Sequence, residues 1–229
     1  MLILGVTTST DRCGAALWRG GEVLGEEVFS GSRSCLEELI PRVDKLLGGA
    51  GVGLKDVDRF AVDVGPGGMT GLKIGIVTVK TLAQAVGAPV VPVSALHALC
   101  HGARGMGGAL FPVVKCMKHE FFNAVYRASG GGVECVAEER LVNENMLLEG
   151  FRKVMGGGPL VLGDAADRAR ELFAGEPGGA ARFAEGDANY PAAVSVCEIA
   201  AGAAAVDFRE IVPRYLCLTS AERNFGIEA

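Results

Sequence analysis

The run Gly65-Pro66-Gly67-Gly68-Met69-Thr70-Gly71-Leu72-Lys73-Ile74-Gly75 constrains this chain more than any other stretch. It separates a short apolar segment, Phe60-Ala61-Val62-Asp63-Val64, from a long apolar segment that begins at Leu72. The pattern demands a strand, a glycine-dense turn and a helix. Glycines there let backbone approach something closely, and a helix N-terminus offers unpaired N–H groups to an anion. Two readings stand side by side. In one, Gly65, Pro66, Gly67, Gly68, Thr70 and Gly71 form an anion or nucleotide cradle, with Thr70 as the N-cap. In the other, the same residues form a tight turn whose glycines permit close packing. The run lacks the Gly-Lys-Ser/Thr of a P-loop, and it is not a G-x-G-x-x-G dinucleotide loop.

Around this loop the chain reads as alternating strands and helices. Strands are expected over 2–7, 13–18 and 23–29, with Gly20-Gly21 as a hairpin turn. A helix follows from Ser34, which forms a capping-box pattern with Glu37 and carries Leu36, Leu39, Ile40, Val43, Leu46 and Leu47 on one face. Pro41 falls in its middle and Gly48-Gly49 ends it. Next come the strand at 60–64, a helix over 72–86 that is apolar nearly all round, a strand at 90–93 and a short helix from Ser94. The glycine-rich 102–108 marks a boundary, giving lobes at 1–104 and 105–229. The second half restarts with strands over 110–116, 121–126, 133–138 and 159–162, then helices over 165–173 and 194–206. Two related α/β lobes fit this order.

The chain has 229 residues and a net charge of −5, which argues against a broad basic surface that holds nucleic acid unaided. No apolar run reaches the length of a membrane span, and the N-terminus lacks a signal-peptide pattern, so a cytoplasmic protein is expected. The 7 cysteines are an odd number without a C-x-x-C pair, and are expected to be free thiols. His97 and His101 share a helix face, yet no third ligand stands at metal-site spacing. His119-Glu120 reads as a solvated turn. There is no G-x-S-x-G elbow. Asp63, at the end of the strand before the loop, is either part of the loop's chemistry or a surface charge.

Several stretches resemble one family. Ile3-Leu4-Gly5-Val6-Thr7-Thr8-Ser9-Thr10 with Cys13-Gly14-Ala15-Ala16-Leu17 resembles the opening I-L-x-I-D-T-S-T…S-V-A-L. Gly65 to Gly75 is similar to G-P-G-S-F-T-G-L-R-I-G, Val93-Ser94-Ala95-Leu96 to V-S-S-L, and Pro213-Arg214-Tyr215-Leu216 to P-x-Y-L-R. The family is TsaB (YeaZ), the accessory subunit of bacterial tRNA threonylcarbamoyladenosine biosynthesis. The resemblance implies a two-lobed α/β fold of the actin/Hsp70/sugar kinase (ASKHA) type. It implies a non-catalytic scaffold for the TsaD paralogue, which transfers threonylcarbamoyl to N6 of adenosine 37 in tRNAs reading ANN codons. A TsaE-like ATPase is the further partner. A homodimer is the form expected when the chain is alone, and tRNA is met only through the complex. The pairing surface is expected on the N-terminal lobe's helices, at Leu36, Leu39, Ile40, Val43, Leu72, Ile76, Val79 and Lys80. No tightly bound cofactor and no metal are expected, beyond weak nucleotide binding at the partner junction.

The departures from the family point the same way. TsaD's metal-binding H-x-x-x-H would place its histidines at Ala95 and Leu99, where neither side chain binds a metal. His97 and His101 keep the spacing two residues away, about 200° around the helix. The family's first-loop Asp is Thr7, its H-S-E becomes Cys35-Leu36-Glu37, and its D-A-R becomes Cys116-Met117-Lys118. The alternatives are a small ASKHA-fold kinase or ATPase, motivated by Gly65 to Gly71 and disfavoured by Thr7, and a metallopeptidase-like protein.

Overall fold

Leu2–Thr7 (β1) is six residues long and buried throughout, as a strand covered on both faces must be. Arg12–Arg19 (β2) and Glu22–Ser30 (β3) extend the sheet antiparallel on one side of it. Arg59–Asp63 (β4) and Val90–Val93 (β5) extend it parallel on the other. The order is β3-β2-β1-β4-β5. The computed structural model describes residues 1–30, 32–176 and 181–218, with the backbone alone for 32–34.

The second sheet repeats that plan. Gly108–Met117 (β6), Glu120–Ser129 (β7) and Gly132–Asn143 (β8) form an antiparallel run. Leu160–Leu162 (β9) and Arg182–Phe183 (β10) pair parallel on the far side of β6. Read from β8, the order is β8-β7-β6-β9-β10, so the two sheets match strand for strand in order and direction. This duplicated mixed sheet, flanked by helices, is a two-lobed α/β architecture.

Helix α1, Ser32–Gly49, runs through Pro41, and helix α2, Met69–Val86, packs beside it on one face of the first sheet. Leu39, Val43, Leu72, Ile76 and Val79 join Leu4, Val6 and Phe60 in that core. Helix α2 stops at Gly87, whose φ of 72° is left-handed and whose N–H returns to the Ala83 carbonyl. The expected capping box at Ser34 lies outside the described side chains. Helix α3, Ala95–Gly102, leads into the second lobe. Helices α4, Glu144–Val154, and α5, Ala166–Phe173, cover one face of the second sheet, where Phe111, Phe151 and Phe173 pack together.

Helix α6, Ala193–Gly202, crosses back to the first sheet. Ala193, Val196, Cys197 and Ala200 pack on Ile3, Ala16, Ala61 and Val91. A division at 104/105 therefore separates the two sheets but cuts through the first lobe's packing, because β1 needs a cover on its second face. Among the described residues, no helix is long and apolar enough to cross a membrane.

Candidate functional site

Adjacent strands β1 and β4 pair in parallel register, bringing Thr7 and Asp63 side by side at their ends. The Asp63 side chain is completely buried, so the surface-charge reading is wrong. Its Oδ2 accepts the Thr7 hydroxyl at 2.7 Å and the Ser9 N–H at 3.2 Å, and its Oδ1 accepts the Thr8 N–H at 3.0 Å. Burial pushes the Asp63 carboxyl up, while the Thr7 hydroxyl and the Thr8 and Ser9 N–H groups pull it back. Both oxygens are spent on holding the first loop in place.

The glycine-rich run receives that loop. The Gly68 N–H donates to the Ser9 carbonyl at 2.7 Å. A Cβ on Gly71 would overlap the Thr8 carbonyl, and one on Gly75 the Thr8 hydroxyl oxygen. The helix begins at Met69 with Gly68 as N-cap and no side-chain cap, so Thr70 is not the capping residue. Because the Thr8–Ser9 backbone lies against these glycines, the helix starts earlier than the apolar periodicity indicates. The geometry favours close packing of the two loops.

The cleft beyond Thr7 is small. Thr7, Arg12, Asp187, Tyr190 and Ala193 line a cavity of about 100 Å³, well below the roughly 300–1,000 Å³ of a ligand site. Arg12 Nη1 meets Asp187 at 2.5 Å and its guanidinium lies 5.7 Å from the Tyr190 ring centre, which closes one end.

The histidines do not fit a metal. Ala95 and Leu99 are buried apolar positions. His97 stacks on Tyr126 with ring centres 5.8 Å apart, and His101 Nε2 lies 3.1 Å from Glu198. Burial lowers the affinity of both imidazoles for a proton; the neighbouring His101 lowers His97 further and Arg104 lowers His101 further, against the opposing pull of Glu139 and Glu198. Among the described residues, no three His, Cys, Asp or Glu side chains cluster as a metal site would. His119 is an exposed turn residue paired with Glu144 at 2.9 Å.

The expected pairing surface divides in two. Leu39, Val43, Leu72, Ile76 and Val79 are spent on the intramolecular core and present nothing to a partner. Leu36 and Ile40 remain outside, 70% and 49% exposed, and Val77 is 61% exposed on the neighbouring helix. Periodicity had placed all the α1 leucines on one stripe, but the helix buries only the part of it that meets the sheet. Lys80 is half-buried, its Nζ donating to the Ile211 carbonyl at 2.9 Å. The outer face of α1 carries Glu37 and Asp44 beside Leu36 and Ile40, and that of α2 carries Lys73 beside Val77. Val77 lies off the core-facing stripe of α2, and the helix read as apolar nearly all round has an outer side with Thr70, Lys73, Thr81 and Gln84 around it.

Comparison with known proteins places this geometry. The family of TsaD, tRNA N6-adenosine threonylcarbamoyltransferase, matches residues 22–154. The tRNA threonylcarbamoyladenosine biosynthesis protein TsaB of Bacillus subtilis is 26% identical over 229 residues, covering 98% of each chain. A tRNA N6-adenosine threonylcarbamoyltransferase of Rhodospirillum rubrum is 28% identical over 78% of this chain but only 51% of its own length. YeaZ from Pseudomonas aeruginosa superposes with a TM-score of 0.78 at 25% identity, over 93% of this chain and 100% of that one.

Proposed function

The chain belongs to the tRNA N6-adenosine threonylcarbamoyltransferase family, in its TsaB/YeaZ branch, and we propose that within tRNA threonylcarbamoyladenosine biosynthesis it is a scaffold subunit that performs no chemistry of its own. The carrying observation is the Thr7–Asp63 contact at 2.7 Å. The carboxylate beside Thr7 is buried and consumed by loop hydrogen bonds, Asp187 across the cavity is held by Arg12, and among the described residues no three His, Cys, Asp or Glu side chains gather as a metal site would. The kinase or ATPase alternative requires such a site together with an open cleft, and is not favoured.

The exposed outer face of α1 and α2 is the pairing surface. Leu36, Ile40 and Val77 supply apolar area, each worth about 1.5–3 kcal/mol when covered. Glu37 and Asp44 on α1 complement Lys73 on α2, so α1 of one protein lies against α2 of another. A second copy satisfies that rule by two-fold symmetry, and a TsaD-like paralogue built on the same lobe satisfies it as a heterodimer. A TsaE-like ATPase joins the assembled pair, tRNA contacts the catalytic subunit, and the assembly works in the cytoplasm. No cofactor belongs to this chain alone.

Co-purification of the chain with its organism's transferase tests the reading. Leu36→Asp is expected to abolish the complex while the isolated chain keeps its fold by circular dichroism. An undiminished complex would refute this surface. Calorimetry of the isolated chain with ATP and Mg²⁺ is expected to show no tight binding.

A further inference from the structure

Pro213-Arg214-Tyr215-Leu216 crosses the boundary between the lobes, and Arg214 stands at the variable position of the P-x-Y-L-R motif. After the turn at Phe208–Glu210 the chain runs along α2, with Ile211 buried in the first lobe's core. The Arg214 N–H donates to the Val64 carbonyl at 2.7 Å, beside the Gly65 turn. Leu216 and Cys217 then pack against the second lobe's core around Leu96, Leu110 and Phe122. This strap therefore touches both lobes and the Gly65 turn of the first.

Glu139 of β8 sits at the crossing, its side chain only 4% exposed. The Ser94 hydroxyl and the Tyr126 hydroxyl both donate to its Oε1, the latter at 2.5 Å. Arg214 Nη1 meets Oε2 at 2.5 Å. Ser94 in turn caps α3 by accepting the His97 N–H at 3.2 Å. One buried carboxylate thus gathers donors from the α3 cap, from β7 and from the strap. Arg214 is the charged member of the set and the one the strap supplies. A buried carboxylate is held in place by such charge-assisted bonds and is poorly tolerated without them.

We propose that the Arg214–Glu139 pair is a latch holding the strap across the two lobes, and that Glu139 is a positioning residue for the groove beside α2. That groove, about 340 Å³, has Ile76, Val77 and Lys80 on one wall and Phe208, Val212 and Pro213 of the strap on the other. Its occupant is a second copy of this chain, whose α1 brings Leu36 and Ile40 flanked by Glu37 and Asp44 to an edge carrying Lys73. This consequence for pairing rests on the surface proposed above; the latch itself does not.

Hydrogen exchange and light scattering on the full chain, with Arg214→Ala and Glu139→Gln beside the wild type, test both parts. Peptides covering 207–218 are expected to exchange about tenfold faster in either variant, with β1 and β6 unchanged. Self-association is expected to weaken about tenfold. Unchanged exchange of the strap in Arg214→Ala would overturn the latch, as would acceleration spread evenly over both lobes. Faster exchange with undiminished self-association would overturn the positioning role alone. Leu36→Asp separates this from the pairing surface: it is expected to abolish association and leave the strap protected, and intact association in that variant would remove the pairing surface without touching the latch.

Discussion

Thr7 on β1 donates its hydroxyl to the buried carboxylate of Asp63 on the neighbouring strand β4 at 2.7 Å. Position 7 is thus neutral, and the acid stands across the strand pair. Two carboxylates at this distance in a buried site cannot both ionise.

Thr7→Asp is therefore expected to destabilise the protein by about 3 kcal/mol, read from urea unfolding at neutral pH. The loss should shrink when Asp63→Asn is added, because one of the paired charges is removed. The single variant should gain no ATPase activity, since Asp63 and the loop still fill the position.

Gly71→Ala is expected to cost about 3 kcal/mol, because the new Cβ overlaps the Thr8 carbonyl, a backbone atom fixed by its neighbours' bonds to Asp63. Thermal unfolding measures it. Stability equal to the wild type would show that the loop does not pack on α2 as described.

Leu36 and Leu39 are three residues apart and opposite in consequence. Leu39 is 1% exposed, so Leu39→Asp buries an unpartnered charge and is expected to cost about 4 kcal/mol. Leu36 is 70% exposed, and Leu36→Asp is expected to leave the unfolding midpoint within about 0.5 kcal/mol of the wild type. Urea titrations of both proteins decide it.

His97 gives a pH dependence of known sign. Burial, then the neighbouring His101, holds its pKa below the ordinary 6.5, so the unfolded chain binds its proton more readily. The stability that neutral His97 contributes is present above the unfolded value and is lost as pH falls through it toward the folded value. His97→Gln is expected to flatten the decline in unfolding free energy between pH 7.5 and 5.5 relative to the wild type. A steeper decline in the variant would contradict the assignment.

Most elements were legible because their periodicities are clean. β1, β5, the start of α3 after Ser94 and the end of α2 at Val86 all follow from local patterns. Helix α4 was missed: Asn143 accepts the Met146 N–H as an N-cap, and Leu147 and Phe151 are one turn apart, but Gly150 breaks the apparent run. The site was legible only in part. Nothing local told whether Asp63 was buried, because that depends on β1 and β4 pairing across more than fifty residues of chain. The same non-local rule sent Leu39 to the core and Leu36 to the surface, and brought Arg214 to Glu139.

The role proposed for this chain is to support threonylcarbamoyl transfer without performing it. The direct measurement is threonylcarbamoyladenosine formed on tRNA by the same organism's transferase and its other partners, with and without this chain. Modification is expected to depend on adding the chain, with none from the chain alone with tRNA and the threonylcarbamoyl donor. Product formed by the chain alone, or a yield that its addition does not change, would contradict it.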